Sequence, residues 1–186
     1  MRIGLDLDGV VVDIIAPILP HLTDIVGRPV TTEDLTCFDL RECLNLNEAQ
    51  MKRLRRLILW GELYSQAPAI DGAIEGIQRL ANHEIWFVTA RPENTRQHTV
   101  EWLERYELPS SPLVLTEHGK KIVGDMGFDL FVDDDVGTAL GLAELGVSVL
   151  LFDHPWNQHP ALPPNCHRVR GWPEVVSYVD GRETDR

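Results

Sequence analysis

Short apolar runs recur along the chain at residues 3–8, 85–88, 113–115, 130–132 and 147–152, with segments of helical spacing between most of them. Runs of this length, bounded by Gly, Asp or Pro, read as strands buried on both faces. Behind Asp71-Gly72, the residues Ile74, Ile77 and Leu80 fall three apart, as on one side of a helix. Helical signals recur over 94–106, in a short piece from Lys120, over 136–145 with a stop at Gly146, and over 172–179. Strand and helix in alternation admit few architectures, and the expectation is an α/β fold, doubly wound about a mostly parallel sheet. A chain of 186 residues is long enough to bury one such core.

The rhythm breaks between about residues 13 and 68. Pro17, Pro20 and Pro29 punctuate this stretch, and one helix is clear, starting at Asn47 with Gln50 completing a capping box. It reads as a helical insertion after the first strand. Ligands of open α/β sheets bind at the C-terminal ends of strands, so an insertion there is placed to close over a site. The expected division is 1–13 with 69–186 as the core and 14–68 as a helical cap.

Composition narrows the partners. A formal net charge of -12 repels long polyanions, whereas a small anion held through a metal meets no such barrier. Lys52, Arg53, Arg55 and Arg56 alternate with Leu54 and Leu57 and read as a solvated helix face, so no nucleic-acid polymer is expected. The three cysteines are odd in number and form no CxxC pair, which argues against a disulfide framework and a tetrahedral zinc site and fits a reducing cytoplasm. Met1 leads within one residue into an apolar strand rather than a signal peptide, and no apolar run reaches bilayer length, so a soluble cytoplasmic protein is expected. The seven histidines show neither HExxH nor paired-ligand spacing, and His154 and His159 read as surface residues of a Pro-rich loop.

The chemistry is concentrated at strand ends. Asp6-Leu7-Asp8-Gly9 sets two carboxylates two residues apart, where a period of two points them to the same side, and the Gly lets the chain turn away behind them. Alone, such a string also suits an acidic turn. Around residues 130–132, Asp129 and the run Asp133-Asp134-Asp135 bring further carboxylates to another strand. So many like charges at two neighbouring strand ends repel one another unless a divalent cation lies between them, and an all-oxygen donor set suits Mg2+. Thr89 ends the 85–88 run and offers a hydroxyl and nearby N–H groups to an anion; Lys120 opens a short helix and brings an ammonium.

Asp6-Leu7-Asp8-Gly9-Val10, Val88-Thr89, Lys120 and the stretch from Phe128 to Asp134 resemble, in order, the four motifs of haloacid-dehalogenase-like phosphatases. Within that superfamily the chain is most similar to the 5'(3')-deoxyribonucleotidases, small enzymes with a helical cap after the first motif. The segment from Pro68 to Ala73 resembles their return from cap to core, and Leu115-Thr116, Trp156-Asn157-Gln158-His159 and Trp172 add softer likeness. The resemblance implies a phosphoric monoester hydrolase in which Asp6 attacks phosphorus to form an aspartyl-phosphate. It makes Asp8 the acid that protonates the leaving group and the base that activates water. It also implies Mg2+ held by Asp6, the backbone carbonyl of Asp8 and Asp134, phosphoryl oxygens bound by Thr89, Ala90 and Lys120, and Asp133 as an orienting partner.

The implied substrate is a small phosphorylated molecule, a nucleoside monophosphate with a preference for deoxy forms. A phosphatase of another small metabolite, or a phosphotransferase or mutase with the same intermediate, shares every core residue. In the mammalian nucleotidases an aromatic follows the position of Asp13, and here it is Ile14; Arg91 after Ala90 is a second departure. Phe38, Trp60 and Tyr64 lie in the insertion, where they serve either as its own core or as a stacking surface for a base. Phe38 is the first candidate for base contact.

Overall fold

The structure, a computed structural model, describes residues 1–59, 61–116, 120–158 and 161–184, with the side chains of 120–122 and 183–184 outside that description. Six strands form one sheet: β1 (Arg2–Leu5), β2 (Glu84–Thr89), β3 (Leu113–Leu115), β4 (Leu130–Asp133), β5 (Ser148–Phe152) and β6 (Cys166–Val169). Every pairing is parallel and the order is β3-β2-β1-β4-β5-β6. The chain leaves β1 toward β2 and β3, then returns to build β4, β5 and β6 on the other side. The connections diverge between β1 and β4, which opens a crevice at the C-terminal ends of those strands.

The period of two divides the apolar residues between the sheet's faces. Leu130, Val132, Leu150 and Phe152 join Ile3, Leu5 and Phe87 on one face, covered by α5 (Ala73–Arg79), α6 (Arg96–Arg105) and α8 (Trp172–Thr184). Phe131, Val149 and Leu151 face the other way, against α7 (Val136–Glu144) and a 3-10 turn over Lys120–Met126. Gly4 is required by this arrangement, because a Cβ there would lie 2.3 Å from the Phe131 ring. Two fully buried tryptophans also fasten loops near the site. The Trp102 indole N–H donates to Ala67 O at 2.7 Å and that of Trp172 to Val10 O at 2.8 Å, so neither polar atom is buried at a loss.

Between β1 and β2 the chain forms α1 (Ile15–Val26), α2 (Leu40–Cys43), α3 (Glu48–Leu59) and α4 (Glu62–Gln66), and Ile18, Leu22, Leu35, Leu44, Leu54 and Leu63 pack into an apolar cluster of their own. The capping box read from the sequence is present: Asn47 Oδ1 accepts from Gln50 N at 3.0 Å, and Gln50 Oε1 accepts from Asn47 N at 2.9 Å. Helix α1 runs through two of the three prolines that looked like punctuation, Pro17 and Pro20. Pro17 occupies the first turn, where a backbone N–H has no helical partner anyway, and only Pro20 interrupts the ladder.

The cysteine expectation requires correction. Cys37 and Cys43 are disulfide-bonded, with Cα atoms 5.6 Å apart, while Cys166 is buried in the core. An odd count does not prevent a local pair when a turn of six residues brings two cysteines together and the third is used for packing. Among the described residues, no helix is long and apolar enough to cross a membrane.

Candidate active site

After Leu5 the chain keeps one more ladder bond, from Asp6 N to Val132 O at 3.0 Å, and then turns sharply. The carbonyl of Leu7 receives the N–H groups of Val11 at 2.8 Å and Val12 at 2.7 Å, and Gly9 sits at φ 81°, in the left-handed region. The turn separates the two carboxylates: Asp6 stays in the crevice beside the end of β4, and Asp8 swings toward the end of β2.

Asp6, Asp133 and Asp134 form a buried cluster in which one carboxylate oxygen from each lies within 4.8 Å of the others. Three carboxylates this close in a low-dielectric site are compatible with ionisation only if positive charge offsets their repulsion, and an oxygen-only set suits a hard divalent cation. The acidic run after β4 is thus divided. Asp133 and Asp134 enter the cluster, whereas Asp135 caps α7 by accepting from Gly137 N at 3.2 Å and Thr138 N at 2.9 Å. Asp129 lies at the opposite, N-terminal end of β4, where its carboxylate receives Arg2 N at 2.7 Å.

Asp134 is held from outside the cluster by residues of the loop after β5. The Trp156 indole N–H donates to its Oδ2 at 2.8 Å, and the Asn157 amide donates to its backbone carbonyl at 2.9 Å. Arg168 in turn donates to Asn157 Oδ1 at 2.7 Å, which fixes the amide. The sequence marked Trp156 and Asn157 only as soft family likeness and attached no role to them. His154 stacks on Trp156 at 4.1 Å between ring centres and gives its Nε2 hydrogen to Gly9 O at 2.6 Å, because a carbonyl can only accept. Burial pushes the His154 pKa down, against the opposing influence of that carbonyl and of Asp153 and Asp13.

The Asp8 carboxylate meets Arg91 in a two-pronged ion pair, Nε to Oδ2 at 2.9 Å and Nη2 to Oδ1 at 2.7 Å. Thr89 is buried at the end of β2, and its hydroxyl accepts from Arg91 N at 3.2 Å. Tyr64 of α4 covers the guanidinium, 4.3 Å from ring centre to Cζ. Burial, and next the Asp8 charge, push the Tyr64 pKa up, with Arg91 opposing.

These groups line one cavity of about 480 Å³. Asp6, Asp8, Asp134, Thr89 and Ala90 form its polar floor, and Ile14, Phe38, Ile58 and Tyr64 bring apolar wall from the insertion. Phe38 is 62% exposed, so it is not part of the insertion's core. Of the remaining expected contributors, Trp60 and the Lys120 side chain lie outside the described residues, as does His159.

Residues 1–182 match the model of a family described as 5' nucleotidase, deoxy (pyrimidine), cytosolic type C protein. The chain belongs to this family. With it the chain is a phosphoric monoester hydrolase of the haloacid-dehalogenase-like superfamily. Among proteins similar to this chain, one of Halalkalibacterium halodurans named as a nucleotidase is 31% identical, over 96% of this chain and 92% of its own. A nucleotidase of Clostridium acetobutylicum is 28% identical over 97% and 94%. The fold is shared with a haloacid dehalogenase-like hydrolase of Streptococcus pneumoniae, TM-score 0.69 at 16% identity over 96% of this chain and 97% of that one.

Proposed function

We propose that this member of the type C nucleotidase family hydrolyses (deoxy)nucleoside monophosphates through a phosphorylated Asp6, with Mg2+ as cofactor. The observation that carries the reading is one cavity in which Asp6 and Asp134, two members of the buried carboxylate cluster, and the Asp8 carboxylate face an apolar wall supplied by residues 14–68. With a divalent cation on its carboxylates the polar floor suits a phosphate, and the wall suits a flat apolar body attached to it.

In this reading the Asp6 carboxylate attacks phosphorus while the bond to the leaving oxygen breaks, and Asp8 gives that oxygen a proton. Water then attacks the aspartyl-phosphate, Asp8 takes the proton back, and inorganic phosphate leaves. Asp6, Asp134 and the backbone carbonyl of Asp8 would hold the cation, with Asp133 beside them. When bound, Mg2+ supplies charge neutralisation between an anionic nucleophile and an anionic phosphate. Thr89, Ala90 and Lys120 bind the phosphoryl oxygens, and residues 14–68 act as a cap that recognises the rest of the substrate.

A panel of phosphomonoesters assayed with Mg2+ and with chelator tests this. Nucleoside monophosphates should lead the panel, free phosphate should accumulate without an added acceptor, and chelator should abolish turnover. A preference for sugar phosphates, or release only in the presence of an acceptor, would replace the nucleotidase reading with a metabolite phosphatase or a phosphotransferase. Within the same panel, Phe38→Ala should lower kcat/KM for nucleotides about tenfold, as loss of one stacked ring would, and spare a sugar phosphate. Equal losses on both would show that Phe38 does not contact a base.

A further inference from the structure

A guanidinium buried to 2% exposure must have its donors placed, and two of those of Arg91 point to Asp8 at the site. Two of its N–H groups grip both oxygens of Asp8, at 2.9 and 2.7 Å. A third donates to the hydroxyl of Thr99, in the first turn of α6, at 3.0 Å, and that hydroxyl donates to Thr95 O at 3.1 Å, at the N-cap of the helix. The ring of Tyr64, from the inserted helices, closes the remaining side. Arg91 thus joins three parts of the molecule: the end of β2 that carries it, the start of α6 that braces it, and the insertion that covers it.

Asp8 sits on a turn just beyond a strand, and nothing in that turn by itself fixes the plane of its carboxyl group. The Arg91 fork does so, because a bidentate pair is met only in one shared plane. Each carboxylate oxygen has a second lone pair. With one on each oxygen engaged by Arg91, the other is left toward the cavity that Asp8 lines. We infer that Arg91 is the positioning residue that aims Asp8 at the leaving oxygen, and that Tyr64 couples this aim to the placement of the helical insertion. The inference rests on the reading of Asp8 as acid and base. The proton concerned moves from Asp8 to the leaving oxygen as the phosphorus–oxygen bond breaks, and returns to Asp8 from the attacking water. Arg91 keeps all of its protons throughout.

Leaving groups that need protonation should therefore feel the loss of Arg91, and those that do not should be spared. The test compares thymidine 5'-monophosphate, an alkyl ester, with p-nitrophenyl phosphate, whose leaving group departs unprotonated. Arg91→Lys keeps the charge and removes the fork. Its kcat/KM should fall on the order of 10²-fold for the alkyl ester and by less than about tenfold for the aryl ester. Tyr64→Leu should skew the two substrates in the same direction by about fivefold, the size of one lost cation–π contact. Should Arg91→Lys fail to fold by circular dichroism, the Tyr64→Leu skew decides. Equal losses on both substrates, a rise in KM alone, or wild-type values would overturn the inference, since they would mean a structural part, direct phosphate binding or no part. Asp8→Asn measured alongside separates two failures. If it shows the leaving-group skew and the Arg91 and Tyr64 variants do not, the inference fails alone; if it shows none, the acid/base reading falls as well.

Discussion

Asp6→Asn is expected to lower kcat by at least about 10⁴-fold while leaving the fold intact, because it removes the proposed nucleophile and almost nothing else. The substitution conserves shape, and the backbone N–H that anchors this position to Val132 O is untouched. Its effect on stability has the opposite sign to its effect on activity. In chelator, the wild-type chain holds Asp6, Asp133 and Asp134 together without a divalent ion between them, and removing one charge relieves part of their mutual repulsion. The melting temperature of Asp6→Asn in chelator should be equal to or above that of the wild type, and added Mg2+ should raise it less. Wild-type turnover, with contaminating phosphatase excluded, would end the covalent mechanism. A large fall in melting temperature in chelator would show that Asp6 supports the fold in some other way.

Gly9→Ala should be nearly as damaging, although the residue has no side chain to take part in chemistry. At φ 81° a Cβ costs about 1–2 kcal/mol by itself, and here it would also stand 2.4 Å from Asp134 Oδ2 and 2.6 Å from its Cγ. The carboxylate must retreat by about an ångström, and a displacement of that size at a reacting centre costs on the order of 10²-fold in rate. Asp134 cannot retreat freely, since Trp156 holds the same oxygen at 2.8 Å. With Asp134 as the metal ligand proposed above, disturbing it in this way should lower metal affinity by about a further ten- to hundredfold. Combined, the loss at subsaturating Mg2+ should be on the order of 10³-fold or more. Titrating Mg2+ separates the two contributions, because saturation restores the affinity part and leaves the rate part. Recovery of full activity at high Mg2+ would show that only binding was affected, and wild-type behaviour throughout would show that Asp134 is not a ligand.

The sheet was legible in the sequence because strands buried on both faces leave uninterrupted apolar runs, and β2, β3, β4 and β5 fall within a residue or two of them. Strand β6 was not. It is an edge strand whose His167 and Arg168 are only partly covered, and it follows Pro163-Pro164, so neither period nor length marked it. Helix α1 was hidden for a different reason, since its two prolines are signals of interruption and only the position of Pro17 in the first turn makes the helix tolerable. The carboxylates that meet between β1 and β4 could be read as strand ends. Their partners could not. Arg91 lies 83 residues from Asp8 and Trp156 lies 22 from Asp134, and nothing local at either position indicates which charge it will face. Phe38 could be read as core or as contact surface, and its exposure decides against core.

The departing and returning chains at the root of the inserted helices are bonded to each other. Asp13 N reaches Pro68 O at 2.9 Å, Ile70 N reaches Val11 O at 2.9 Å, and Val12 bridges Ala69 in antiparallel fashion. Seen from the sheet, the excursion therefore begins and ends at one point, and strand order and register are indifferent to what hangs from it. Lengthening such a loop carries only a logarithmic penalty, about 0.6 kcal/mol for each doubling. With residues 14–68 as the proposed cap, evolution can accordingly exchange the pendant piece, and with it the molecules the site accepts, without reopening the bonds that hold the chain at Asp6 and Asp8 in place.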